Sequence, residues 1–142
     1  MYATRDDMVT AFGERECVSL TDREFTGAID DAVMLSFLEQ ASAEIDSYLV
    51  SRYPTPWPDT PRLLVGRCCA IARYLMCGAQ TQVTEEIRDR YRDAIRYLEQ
   101  VAKGTVSLGR LPNGDVVPSG TRVKFSSNGR AFGRDSTDGG AF

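Results

Sequence analysis

The sequence predicts a mainly α fold: a small bundle of three to four helices with an extended C-terminal arm containing short β segments. Three observations predict it. Apolar residues recur at three- and four-residue steps through most of residues 1–104, the spacing that keeps them on one face of a helix. Each such run is bounded by residues that start or stop helices. After Gly104 the period changes to alternation, and glycine, serine and proline become frequent. The chain divides accordingly into a helical body, residues 1–104, and an arm, residues 105–142.

Taken in order, Thr4 can cap a short helix from about Arg5 to Phe12, with Asp7 three residues on as an imperfect capping box and Gly13 as the stop. "SLTDREFTG" then reads as a polar break. Ile29, Val33, Phe37, Ala41, Ile45, Tyr48, Leu49 and Arg52 define one face of the next helix. Met34, Leu35 and Leu38 widen that face, so this helix is expected to pack on more than one side.

"YPTPWPDTP" ends it, because four prolines in nine residues favour a stiff, polyproline-like connection. Thr60 as cap and Pro61 at the first helical position start a third helix, which runs to about Cys77 with Leu64, Cys68, Ile71, Ala72 and Leu75 inward. Gly78 closes it. The fourth starts at Thr84, with Glu85 and Glu86 at the positive end of its dipole. Ile87, Tyr91, Ala94, Ile95, Leu98 and Val101 form its apolar stripe, and Lys103-Gly104 stops it. In the arm, the Asn113-Gly114 turn signal and the alternating run Thr121 to Phe125 suggest short extended segments or one hairpin.

Composition narrows the function classes. The 142 residues, 42% hydrophobic and 26% charged, suit a soluble single domain with an arm. No apolar run approaches the roughly 20 residues that span a bilayer. Acids stand near the N-terminus where a signal peptide would carry bases, so the chain is read as starting out in a cytoplasm. The absence of histidine removes Ser-His and Cys-His catalysis and the commonest general base. Without histidine or paired C-x2-C spacing, Cys17, Cys68, Cys69 and Cys77 read as reduced core thiols rather than zinc ligands.

Two acidic clusters, Asp30 with Asp31 and Glu44 with Asp46, are candidates for acid–base or Mg²⁺ chemistry. The structural reading is preferred: the first pair suits a helix start, and the second flanks Ile45 and is expected to face outward. "EEIRDRYRDAIRYLEQ" alternates charge sign and reads as a salt-bridged helix surface or a subunit interface. The glycines of "GRAFGRDSTDGG" lack the lysine and the strand-to-helix context of a phosphate loop. Tyr53 and Trp57, aromatics on the proline segment, are candidate subunit-contact anchors, or covers for the neighbouring helix ends. Charge is uneven: residues 1–102 hold 11 basic and 17 acidic side chains, residues 103–142 hold 6 and 3. An acidic body with a basic arm suits head-to-tail or partner docking.

Three stretches, "MYATRDDMVTAFGERE", "ASAEIDSYLVSRYPTPW" and "RYRDAIRYLEQVAKGTVSLG", together resemble the head–tail connector (adaptor) proteins of Mu-like phages and prophages over about residues 1–109. The resemblance implies a structural virion protein without enzymatic activity or cofactor. It implies a homo-oligomeric ring of twelve copies beneath the portal protein, at the neck of the virion, after synthesis in the host cytoplasm. Such a ring joins the DNA-filled head to the next neck or tail-completion protein and lines a channel that DNA crosses without specific binding; no membrane is involved. An acidic body agrees with that, since phosphate affinity comes from basic contacts.

In connectors of this type a C-terminal arm docks on the portal. Here Arg122, Lys124 and Phe125 are expected to pair as an edge strand, with Arg130, Phe132, Arg134 and Phe142 anchoring the remainder on portal or neighbour. The alternatives are another ring-forming neck protein (a stopper or tail terminator), a small regulatory protein whose basic tail binds nucleic acid, and a metal-dependent hydrolase using Asp30 or Glu44.

Overall fold

A computed structural model describes residues 1–53, 55, 60–78 and 82–109. They form five helices: α1 (Arg5–Phe12), α2 (Glu14–Thr21), α3 (Asp31–Leu49), α4 (Arg62–Met76) and α5 (Glu85–Lys103). The expected fold class is corrected on two counts. There are five helices, not three or four, and no strand occurs among the described residues. Residues 105–109 contain none, and the run Thr121 to Phe125 lies outside the described residues.

The missed helix is α2, which covers part of the expected polar break. Gly13 both ends α1, its N–H bonding the Val9 carbonyl, and precedes α2, whose Cys17 N–H returns to the Gly13 carbonyl. At φ +84° it turns the chain between two helices, so a stop signal concealed a start. α2 also lacks a long apolar stripe, burying only Cys17, Leu20 and Thr21.

Elsewhere local chemistry sets most ends, although α3 is shorter than the expected face, leaving Ile29 and Arg52 outside the helix. The Thr4–Asp7 capping box forms in both directions, with Thr4 N–H donating to Asp7 at 2.8 Å. Asp30 accepts from the Ala32 and Val33 amides, both at 3.0 Å. Thr84 accepts from Ile87 N–H, and Gly104 ends α5 in the left-handed conformation. At α4 the start shifts one residue: Pro61, at φ −60° and ψ 134°, is still extended and serves as the cap.

α3, α4 and α5 pack on one another, and α1 and α2 lie against α3 and α4. The shared core holds Met34, Leu38, Ala41, Ile45 and Leu49 of α3, Leu64, Cys68, Ile71 and Ala72 of α4, and Ala94, Leu98 and Val101 of α5. The buried face of α3 is therefore rotated from the expected one. Val33, Phe37 and Tyr48 lie at its margin and Met34 and Leu38 at its centre. The N-terminus is strapped along the same helix: Tyr2 N–H donates to Ser42 at 3.0 Å, and the Tyr2 hydroxyl bonds Asp46.

Candidate assembly surfaces

The acidic clusters are used within the fold. Asp30 caps α3, and Asp31 pairs with Arg5 at 2.7 Å. Glu44 accepts the Tyr91 hydroxyl at 3.1 Å and Asp46 takes that of Tyr2, so both are half-buried rather than outward as expected. The reason is geometric: residues flanking Ile45 lie about 100° to either side of it, where α5 and the N-terminal strap reach them. No group of three or more metal-ligating side chains occurs among the described residues.

All four cysteines are free thiols. Burial raises the pKa of each, Cys69 to about 12, so none is a ready thiolate nucleophile.

One buried cation organises the body. Arg73 of α4 bonds Glu16 of α2 at 2.5 Å, lies 3.6 Å from Glu86 of α5, and places its guanidinium 4.5 Å from the centre of the Phe12 ring of α1. Four helices meet on one side chain. No periodicity in the sequence marks it, because Arg73 occupies an apolar position of α4.

The C-terminal segment leaves the body at a fixed place. Arg52 donates to the Val101 carbonyl at 3.0 Å, and Tyr53, 3% exposed, accepts the Leu108 N–H at 3.0 Å. Val106 and Leu108 rest on the core. Of the expected contact residues, Tyr53 thus lies inside the body. Trp57, Arg122, Lys124, Phe125, Arg130, Phe132, Arg134 and Phe142 lie outside the described residues.

The outer surfaces of the described residues include the following. α5 carries a ladder of exposed ion pairs: Arg90–Glu86 at 2.9 Å, Arg92–Asp89 at 3.7 Å, Arg96–Asp93 at 4.0 Å and Lys103–Glu99 at 3.8 Å. The outer side of α3 offers Ala32, Leu35, Ser36, Gln40, Ala43 and Ser47, with Glu39 the charge among them. The α2–α3 loop displays Phe25, 86% exposed. It is built on Asp22, whose carboxylate accepts from Thr26 and Gly27 amides at 2.9 and 2.6 Å; those bonds hold its pKa below the ordinary value. Sequence reasoning passed over Phe25 because a lone phenylalanine in a polar break carries no periodic signal.

Among the described residues the charged and polar side chains serve as caps, ion pairs and helix-to-helix bonds, so the fold is that of a helical scaffold. The family model for Bacteriophage Mu Gp36 matches residues 2–127. Mu-like prophage FluMu protein gp36 of Haemophilus influenzae is 33% identical over 139 residues, 98% of this chain and 97% of that protein. Gene product J of Escherichia phage Mu is 35% identical over 135 residues, 94% of each. The chain belongs to the Mu Gp36 family. Its role is structural and non-catalytic, that of a head–tail connector of a Mu-like phage. The matches reach well beyond residue 109, where the resemblance read from the sequence ended.

Proposed function

We propose that copies of this chain close into a ring beneath the portal at the virion neck, with the body forming the wall and the C-terminal segment docking on the portal. The observation that carries this reading is the Tyr53–Leu108 tether. It fixes where an acidic body hands over to a basic, aromatic-bearing segment. An anchored exit starts that segment from one defined point on the body, which favours its docking on a partner. Arg122, Lys124, Phe125, Arg130, Phe132, Arg134 and Phe142 supply the cationic and aromatic contacts, and Trp57 lies at a subunit contact. A net acidic body repels phosphates, so DNA passes without being held.

Native mass spectrometry of the full chain, alone and mixed with portal rings, tests it. A defined many-copy complex with portal supports the adaptor. Its loss on combined Arg130→Glu and Arg134→Glu substitution assigns the docking to the segment. A chain that stays monomeric in both samples removes the ring, and steeply salt-dependent DNA binding by the same segment replaces the docking role with a nucleic-acid one.

A further inference from the structure

Two features have no use among the described residues of a single chain. Among the described residues Phe25 is the most exposed large hydrophobic, and it sits at φ +58°, a backbone region that a bulky residue rarely adopts. Such strain persists only where the surroundings enforce it. Here the Asp22 bonds do so from one side, and Thr21, accepting the Asp30 amide at 3.1 Å, fixes the other end of the loop. The result is an aromatic knob on a braced loop, a side-chain type enriched in interfaces.

The second is an open groove between α4 and α5, lined by Gly66, Arg67, Ala70, Arg90, Asp93 and Ala94. A glycine in mid-helix weakens the helix relative to alanine. Gly66 has no internal reason to be one: its φ is not positive, and a Cβ added there would meet nothing within 4 Å. What it leaves is room for a group from outside. Beside it the Arg67 guanidinium lies 4.5 Å from the centre of the Tyr97 ring, with its Nε buried and lacking a hydrogen-bond partner among the described residues. Arg90 forms another wall.

We propose that Phe25 of one copy seats in the α4–α5 groove of the next copy, with Glu24 meeting Arg67; this contact rests on the ring reading above. Charge favours the pairing. Asp22, Asp30 and Asp31 are engaged within the chain, as are Arg90 with Glu86 and Asp93 with Arg96, which leaves exposed Glu24 on the loop and Arg67 in the groove as the opposite charges outside any ion pair among the described residues. Guanidinium walls attract an aromatic face. Knob and groove come from different elements of one chain, so the contact is head-to-tail, the kind that generates rings.

The test uses substitutions that spare the fold. Asparagine tolerates positive φ, so Phe25→Asn should melt no lower than the parent. Gly66→Leu, a better helix former projecting into open space, should melt higher. Both should nonetheless lower the yield of many-copy complexes with portal rings at least tenfold. Glu24→Arg and Arg67→Glu should each weaken assembly, and combining them should restore it.

If the parent assembles and these variants assemble equally well, the contact is overturned while the ring stands. Weakened groove variants beside unaffected Glu24 and Phe25 variants would also overturn it, giving the groove to another occupant such as residues 110–142 or the portal. A parent that never forms a many-copy state overturns the ring and this contact together.

Discussion

α3 and α5 both run 19 residues, yet α3 buries six of them and α5 only four. The difference reflects position. α3 touches every other helix of the bundle, whereas α5 packs on α3 and α4 alone. A helix with neighbours on several sides has little room for charge, and the exposed edge of α3 is mostly small or uncharged. A helix with one buried stripe must keep the rest in water, and α5 does so with ion pairs. The two helices meet through Tyr91, whose hydroxyl donates to Glu44 and whose ring stacks on Tyr74 at 4.1 Å between centroids.

The comparison can be broken most severely from inside α3. Ile45→Ala removes a fully buried side chain where helices on several sides meet and is expected to destabilise by about 2–5 kcal/mol. Chemical denaturation measures it; a loss under about 1 kcal/mol would mean α3 is not central.

Next comes the clasp that holds the start of α5. Arg73→Ala leaves Glu16 without its partner and uncovers Phe12. Because Glu16 is one-third exposed, the expected loss is about 2 kcal/mol, below the ~3–5 of a fully buried pair. Urea unfolding of the variant supplies the number.

At the other end of α5, Gly104→Ala places a Cβ in a left-handed backbone, 2.6 Å from the Arg52 guanidinium. A loss of about 1 kcal/mol is expected in thermal melts, mostly from the backbone, since a guanidinium can move.

Tyr91 sharpens the contact between the helices by pH. Burial, then the Glu44 carboxylate, push its pKa from the usual 10 to about 12. Protonated phenol is favoured in the folded state, so this contribution is intact below pH 10 and declines as pH rises from 10 toward 12. Tyr91→Phe should flatten that decline in melts across this range, and the phenolate absorbance titration should lose a late-ionising group. The smallest effect lies on the outer face of α5: Arg96→Ala, breaking an exposed pair at 4.0 Å, should change stability by less than about 0.5 kcal/mol.

α5 was the more legible helix. Its cap, its stripe and its stop at Gly104 all read from the sequence, because each depends on neighbours within a turn or two. α3 was found, but its inward face was misjudged. With apolar residues at Val33, Met34, Leu35, Phe37 and Leu38, several faces compete, and only the packed neighbours choose. α2 was missed because its stability comes from lying on α1, α3 and α4 rather than from its own pattern. Of the surfaces, the charged ladder was anticipated; the Phe25 knob and the α4–α5 groove were not.

By itself, then, the sequence determined a mainly helical body, most helix ends, unreactive buried cysteines and the family, all properties carried by short-range chemistry or by contiguous stretches of residues. Tertiary structure alone decided that Arg73 joins four helices and that Glu44 and Asp46 are held by tyrosines distant in sequence. It also decided that Tyr53 turns inward to tether Leu108. Each joins residues dozens of positions apart, and nothing local along the chain encodes which of them will meet once the helices pack.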